Sequence, residues 1–349
     1  MVSSSVLPAL IPAVAASPLT CAAPKLTTCE APRGNFTVNA AGLYPENADF
    51  DDSRCVTYIS NLYKGTVSVY DATANRVSKI ITLDGISNVP AFHVGGVQRD
   101  RLHDKLTISA NAAAAFDTSG DDVSGTNLIV QYNLAEDRVE WAQNLTAVSN
   151  GVYGGFQDIE HDAAGNSFVV GSFPSSIVKI TPDGKTATPW FGPSGTNTTL
   201  YGFAGIAAFN DARSALVPDG ESGQVVRFDL TAEAGKPVIV TLGSTEPIGG
   251  DLDGGYLPPL YKDTVFLISD NVLGTIVLKS DDKWETAKNV GVVPNALGST
   301  GGFHVATVQI VDRVYAVTEW FRDNAPGASL NRTEFPFIDI TDDINQLLI

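Results

Sequence analysis

A phrase of similar residues recurs six times along this chain of 349 residues. Each copy has an aromatic residue near small and β-branched residues, and the copies are GLYPENADFDD, AFHVGGVQRD, GGFQDIEHD, YGFAGIAAFN, GGYLPPLYKD and GGFHVATVQIVD. The aromatic anchors of the copies are Tyr44, Phe92, Phe156, Phe203, Tyr256 and Phe303, spaced about 47 to 64 residues apart. That period is typical of a four-stranded propeller blade with its loops. The repeat therefore predicts an all-β chain folded as a six-bladed β-propeller.

Two further apolar runs follow each copy and predict the second and third strands of a blade. Runs such as KLTISANAA and TVSVYD place alternate residues on opposite sides of a sheet. In the last blade EFPFIDI supplies a late strand, and NFTVNA from Asn35 can add the missing one. Pairing the two chain ends would close the ring and protect the strand edges. A seven-bladed propeller and a β-sandwich are the alternative folds.

The first 24 residues are free of charge and contain an apolar stretch from Val6 to Ala16. The small residues Ala13-Val14-Ala15 are typical of a cleavage site, so residues 1–24 predict a signal peptide, with a disordered leader as the alternative. A single propeller domain is expected over residues 25–349. Glycosylation sequons also favour secretion or the secretory pathway, and they begin at Asn35, Asn144, Asn197 and Asn331.

The chain has three cysteines, Cys21, Cys29 and Cys55. A Cys29–Cys55 disulfide would staple the N-terminal segment to the first blade and leave one cysteine over. The sequence alone leaves the pairing open. No Cys-x-x-Cys motif or Cys/His cluster indicates a zinc site.

Charge and hydropathy exclude two classes of partner. The net charge of −17 would repel a nucleic-acid backbone. After the leader, no apolar run approaches the ~20 residues that span a bilayer. We therefore expect neither nucleic-acid binding nor membrane insertion.

The first strand of each blade should line the central channel, so the residue after each anchor is expected in the wall of a pocket. These positions are Pro45 or Glu46, His93, Gln157, Ala204, Leu257 and His304. His93 and His304 occupy the same position of the repeat, which favours a shared pocket. His103 and His161 stand beside aspartates in turns and are typical of surface residues.

The loops after the second strands should reach the same mouth. They contribute Asn61 with Tyr63, Asn111, Phe173, Asp219, Asp270 with Asn271, and Glu319 with Trp320 and Phe321. Aromatic and amide groups with few charges suit a neutral, largely apolar small molecule. Several of these side chains are alternatively explained as turn or strand caps.

No nucleophile elbow, Walker loop or dinucleotide fingerprint is present. Near the inner strands, Glu46, Asp158, Asp251 and Asp253 are hard oxygen ligands that suit Ca²⁺. The formation of turns accounts for Asp251 and Asp253 at least as well.

The blade pattern resembles the senescence-marker/gluconolactonase superfamily of six-bladed, metal-dependent lactonases. That resemblance implies Glu46 and Asp253 as the first and last metal ligands. The middle ligand, an Asn in that superfamily, is Ala204 here, so the set is broken. A Ca²⁺-dependent lactonase or esterase-like hydrolase is the alternative function.

The segments LYPENADFDD, ISNLYKGTVSVYD, ISANAAAAFD, GGFQDIEHDAAGNSFVVGSFPSSIVKI and VTEWF are similar to those of a fungal secondary-metabolism group of propellers. The group includes the trichothecene-cluster propeller protein and hetero-Diels–Alderases of tropolonic sesquiterpenoid pathways. The resemblance implies a cyclase free of metal and cofactor, acting on an apolar or aromatic polyketide or sesquiterpenoid. A pyran-forming terpenoid cyclase and a non-catalytic carrier are further alternatives.

This resemblance suggests roles for residues of the expected mouth. The candidates for donating a hydrogen bond or moving a proton are His93, His304, Gln157, Asn111 and Glu319. The candidates for binding the substrate are Glu46, Tyr63, Phe156, Phe173, Tyr201, Tyr256, Phe303, Trp320 and Phe321. Holding two reactants in a near-attack pose can by itself supply several kcal/mol of a cycloaddition barrier.

Overall fold

The computed structural model describes residues 29–192, 197–244 and 246–349. These residues form six four-stranded antiparallel sheets, which are the blades of a β-propeller. The predicted fold class, blade number and strand number per blade are confirmed. The predicted signal peptide and Cys21 lie outside the described residues.

The strands of the first three blades follow one another along the chain. Blade 1 contains β2 (Ala48–Asp51), β3 (Val56–Asn61), β4 (Thr66–Asp71) and β5 (Arg76–Thr82). Blade 2 contains β6 (Phe92–Asp100), β7 (Lys105–Ala112), β8 (Leu128–Asn133) and β9 (Arg138–Asn144). Blade 3 contains β10 (Gly154–His161), β11 (Ser167–Phe173), β12 (Ser175–Ile180) and β13 (Ala187–Phe191).

Blades 4 and 5 repeat this order, and blade 6 takes one strand from the other end of the chain. Blade 4 contains β14 (Ala207–Phe209), β15 (Ser214–Asp219), β16 (Gln224–Asp229) and β17 (Val238–Ile239). Blade 5 contains β18 (Leu252–Tyr256), β19 (Val265–Asp270), β20 (Gly274–Lys279) and β21 (Lys288–Pro294). Blade 6 contains β22 (Phe303–Ile310), β23 (Arg313–Glu319), β24 (Glu334–Asp339) and β1 (Phe36–Asn39).

The ring closes through β1, as the sequence predicted. This strand pairs with β24 in the register Phe36 to Phe337 and becomes the outermost strand of blade 6. The Phe36 ring packs on those of Tyr70, Tyr315 and Phe337, with centroids 5.0–5.4 Å away. A Cys29–Cys55 disulfide joins the N-terminal segment to blade 1. Non-adjacent parts of the chain therefore complete one ring.

Neighbouring inner strands approach each other closely at equivalent glycines. A Cβ added at Gly96 would lie 2.0 Å from the Gln157 carbonyl oxygen, and one at Gly205 would lie 2.1 Å from the backbone nitrogen of Gly255. The absence of a side chain at these positions allows the blades to meet. We call this central region of inner strands the hub.

Buried carboxylates also join adjacent blades. Asp158 and Glu160 of β10 accept hydrogen bonds, each of 3.0 Å, from the backbone nitrogens of Ile206 and Ala208 in blade 4. Burial raises the pKa of both carboxyl groups to about 7. Because these acids satisfy backbone donors across a seam between blades, they hold the hub together.

Helices are few in the part of the chain that is described. They are α1 (Ala113–Asp117), α2 (Leu145–Ser149) and α3 (Thr341–Leu347), with three short 3₁₀ turns. Within this part, no helix is long and apolar enough to cross a membrane. The architecture is thus almost entirely made of strands and turns.

Candidate functional site

Two cavities lie at the central channel. One, of about 790 Å³, is lined by residues near the beginnings of the inner strands. The other, of about 740 Å³, is lined by residues near the ends of those strands. We call the first the mouth cavity, since it is where the anchors predicted a pocket.

The mouth cavity brings together most of the candidate site residues that were predicted from the sequence. Its wall contains Glu46, Tyr63, His93, Asn111, Gln157, Phe173, Tyr201, Asp253, Phe303 and Phe321. They come from the inner strands, the segments just before them, and the ends of the second strands with the loops that follow, in all six blades. Volume and composition fit a small-molecule site.

Five of the candidate catalytic and substrate-binding side chains lie outside this wall: Phe156, Trp320, His304, Tyr256 and Glu319. Phe156 is fully buried against Tyr153, and Trp320 is buried between Phe335 and the Arg332 guanidinium. These two rings belong to the packed core and do not line the mouth cavity. His304 and Tyr256 are displaced for two separate reasons.

The expectation that His93 and His304 share a pocket is wrong. His304 is buried in the seam between blades 5 and 6, where its Nε2 lies 2.9 Å from Thr275 Oγ1 and 3.2 Å from Ser269 Oγ. The ring of His93 packs edge-on against Tyr63, with centroids 5.3 Å apart, in the cavity wall. Hydroxyl partners in the preceding blade hold His304 inside the seam.

His161 is also buried and is not the surface residue that its turn suggested. Its Nε2 lies 2.8 Å from Thr107 Oγ1 of blade 2. Burial lowers the pKa of His161 and of His304 to about 4, so both are neutral at pH 7. Both histidines therefore act as neutral seam residues.

The placement of Tyr256 at the mouth is wrong because the repeat in blade 5 was misaligned. Leu252 pairs with Asp270, as Phe203 pairs with Asp219 and Phe303 with Glu319. Leu252 thus holds the anchor position, and Asp253 takes the wall position assigned to Leu257. Tyr256 lines the opposite cavity instead. Each of these second strands ends in an acidic residue. Aligning the blades on that residue would have identified Leu252 as the anchor of blade 5.

Three buried carboxyl groups surround the mouth cavity. Burial, and then repulsion from Glu319, raises the pKa of Glu46 well above its usual value. Burial, and then repulsion from Glu46, does the same to the pKa of Asp253. Burial also raises the pKa of Glu319 well above its usual value, and this carboxyl group lies behind Tyr63, outside the cavity wall. The raised pKa values favour the protonated carboxyl forms, which can donate hydrogen bonds.

The wall also contains Gln157, whose side chain makes hydrogen bonds within the protein, and His93. Gln157 Nε2 donates to the Ala204 carbonyl oxygen at 2.9 Å and to Tyr201 Oη at 3.4 Å. His93 of β6 stands opposite Asn111 of the second strand β7 in the backbone register. Burial lowers the pKa of His93, although nearby Asp117 opposes the shift. His93 is therefore a neutral base in the wall.

The residues present do not fit the calcium site that the superfamily resemblance implied. Glu46 and Asp253 face one cavity, but Ala204 offers a methyl group where an amide oxygen is needed. The Ala204 carbonyl oxygen already accepts from Gln157. Among the described residues, no group of three or more His, Cys, Asp or Glu side chains is arranged to hold a metal ion.

Sequence reasoning missed the short helix α1 at the rim. Its Phe116 and Asp117 line the cavity, and the Phe116 ring lies 5.3 Å from that of Phe173. The run Ala112–Ala115 is a helix signal, since Ala has the highest helix propensity. That signal could have located α1, although not its position over the mouth.

Comparisons with known proteins agree with this fold. Residues 25–290 match the model of the Mal s 1 allergenic protein-like family. Trichothecene biosynthesis protein 14 of Trichoderma arundinaceum is 29% identical over 337 residues, which cover 91% of this chain and 90% of that protein.

Two solved structures share the architecture. The Malassezia sympodialis allergen Mala s 1 superposes with a TM-score of 0.75 at 21% identity, over 88% of this chain and 96% of the allergen. The calcium-binding protein regucalcin from Agrobacterium tumefaciens gives a TM-score of 0.55 at 14% identity, over 90% of this chain and 96% of regucalcin. At these identities the likeness concerns the fold alone.

Proposed function

The chain belongs to the Mal s 1 allergenic protein-like family, and we propose that it is a cofactor-free cyclase of fungal secondary metabolism. It closes an oxygen-containing ring in a terpenoid-type intermediate held in the mouth cavity. The observation that carries this proposal is the meeting of carboxyl groups with raised pKa, a histidine with lowered pKa and aromatic rings in one cavity. The similarity to a trichothecene biosynthesis protein supports the metabolic setting.

The first candidate reaction is an intermolecular hetero-Diels–Alder addition of an alkene to a quinone-methide (tropolone-type) heterodiene. One C–C and one C–O bond form to give a dihydropyran, and no proton is gained or lost. A hydrogen bond from protonated Glu46 or Asp253 to the heterodiene oxygen would stabilise the charge that develops there. The rings of Phe173, Tyr201 and Phe303 would hold the flat reactant and exclude water.

The second candidate is pyran closure within one terpenoid, which the trichothecene relative favours. A substrate hydroxyl attacks an epoxide or allylic carbon as the C–O bond to the leaving oxygen breaks. The leaving oxygen takes a proton from Glu46 or Asp253, and neutral His93 accepts the proton of the attacking hydroxyl. One proton enters and one leaves the substrate, so the step is balanced.

Two other functions make different demands. A lactonase of the gluconolactonase type needs the middle metal ligand that Ala204 does not provide. It would lose activity with a chelator, whereas the cyclase would not. A non-catalytic carrier would bind the same molecules without converting them.

The test is incubation of the purified protein with a tropolone quinone-methide precursor plus a humulene-type alkene, and separately with an epoxide-bearing sesquiterpenoid alcohol. Chiral chromatography with mass spectrometry measures the rate and stereochemistry of ring formation. Glu46→Gln, Asp253→Asn and His93→Ala should each slow the reaction by about 10² or more. The exposed Asp183→Asn is the matched control. Rates and stereochemistry equal to those in buffer, for both substrates, would reject the cyclase.

We also propose that the protein passes through the secretory pathway. The Cys29–Cys55 disulfide supports this route, because such bonds persist in oxidising compartments. The four sequon asparagines, Asn35, Asn144, Asn197 and Asn331, are all exposed. Peptide mass spectrometry of the protein purified from a fungal host should find N-glycans. Its accumulation in the cytosol without glycans would contradict the proposal.

A further inference from the structure

The wall of the mouth cavity has an uneven chemical composition. It contains six aromatic side chains, Tyr63, Phe116, Phe173, Tyr201, Phe303 and Phe321. It also contains four carboxyl groups, Glu46, Asp117, Asp251 and Asp253. None of the described residues that line it is Lys or Arg, and its His93 is neutral. Nothing in this wall would compensate a bound anion.

Two buried oxygens of the wall have no hydrogen-bond donor. Glu46 Oε2 and Asn111 Oδ1 are buried without a hydrogen-bond partner. A buried acceptor without a donor is destabilising, so these oxygens favour an occupant that supplies positive charge or a hydrogen-bond donor.

The nearest guanidinium groups act elsewhere. Arg332 lies over the Trp320 ring and pairs with Asp323 at 3.0 Å. Arg322 is exposed and stands 5.5 Å from the centroid of Phe303. Phe303 thus already offers a face to one cation from outside the cavity.

From this composition we propose that the mouth cavity is selective for positive charge. It takes lipophilic ammonium ions as ligands, and it stabilises the positive charge that develops on a substrate carbon during ring closure. The inference rests on the proposed function in treating the mouth cavity as the substrate site. It deepens that function by favouring the closure with cationic character over the concerted cycloaddition.

Two physical effects produce the selectivity. Aromatic faces attract a cation that lies within about 6 Å of the ring centroid. A carboxyl group beside the cation ionises, because an opposite charge favours its charged form. Each such ionisation releases one proton to solvent, so ammonium binding should strengthen as pH rises. The titratable groups that line the cavity are Glu46, Tyr63, His93, Asp117, Tyr201, Asp251 and Asp253, and Glu319 lies behind Tyr63.

Three probes of one carbon skeleton test the charge preference: farnesylamine, farnesol and farnesoic acid. Isothermal titration calorimetry at pH 7, in two buffers of different ionisation enthalpy, gives affinity and proton release. We expect farnesylamine to bind at least about tenfold more tightly than farnesol and to release close to one proton. Farnesoic acid should bind most weakly.

The double variant Glu46→Gln with Asp253→Asn should lose the preference for the amine while it still binds farnesol, which shows an intact cavity. Asp183→Asn should keep the preference. Equal binding of amine and alcohol, preference for the acid, or no binding of any probe would overturn the inference. If the protein forms the ring but does not prefer the amine, the cyclase proposal holds and only this inference fails. If the protein prefers the amine but converts neither substrate, only the cyclase proposal fails.

Discussion

Gly205→Ala tests how closely blades 4 and 5 meet at the hub. The new Cβ would lie 2.1 Å from the Gly255 nitrogen and 2.8 Å from the Gly254 carbonyl carbon. Both atoms are backbone atoms of β18, so no flexible side chain can yield. Relief requires the inner strands to separate by roughly 1 Å, and overpacking of this kind costs about 3 kcal/mol or more.

Thermal unfolding followed by circular dichroism measures this cost. A loss of ~3 kcal/mol corresponds to a fall in Tm of about 4–5 °C for a propeller of about 320 residues, at roughly 2.1 cal/mol/K of unfolding entropy per residue. Gly192→Ala is the matched control, because a Cβ at Gly192 meets nothing within 4 Å. Its effect should stay within about 0.5 kcal/mol. The close approach at the hub would be refuted if the Tm of Gly205→Ala lay within 2 °C of that of the control, a difference in unfolding free energy of about 1 kcal/mol.

Three further predictions concern stability. Burial lowers the pKa of His304 from 6.5 to about 4, so its neutral form stabilises the fold above pH 6.5 and this stabilisation is lost as pH falls towards 4. His304→Gln should therefore reduce the change in the free energy of urea unfolding over this pH range by on the order of 3 kcal/mol. An unchanged pH dependence would contradict the assignment. Phe36→Ala should cost about 2–4 kcal/mol in the same assay by weakening the closure of the ring, and a neutral effect would show that β1 is dispensable. Reduction of Cys29–Cys55, 26 residues apart, should cost about 3.5 kcal/mol by the chain-entropy estimate, whereas an unchanged Tm in dithiothreitol would show that the bridge is not stabilising.

The repeat was sufficient to predict the blades because each blade buries its strands through a local pattern. Alternating runs such as TVSVYD specify strands wherever they stand, and β4 occupies that run in the structure. The ring closure was also predictable, since the last blade lacked one strand and NFTVNA was left unused. The register of blade 5 was not, because GGYLPPL imitates the aromatic anchor while Leu252 holds the anchor position.

The sequence predicted which residues lie near the site, but not which of their side chains line the cavity. Positions after the anchors lead to the hub in every blade, so Glu46, His93 and Gln157 were nominated correctly as neighbours. Whether a side chain turns into the cavity or into a seam depends on the adjacent blade. Ser269 and Thr275 hold His304 in a seam, while Tyr63 packs against His93 at the wall.

The sequence by itself determined the all-β class, six blades and the join between the chain ends, because periodic burial and a missing strand are local properties of the chain. Only the tertiary structure decided which acids share the mouth cavity and keep their protons. Burial, the repulsion of Glu46 by Glu319 and that of Asp253 by Glu46 arise between blades that are far apart in sequence, and charge interactions depend on distance in space.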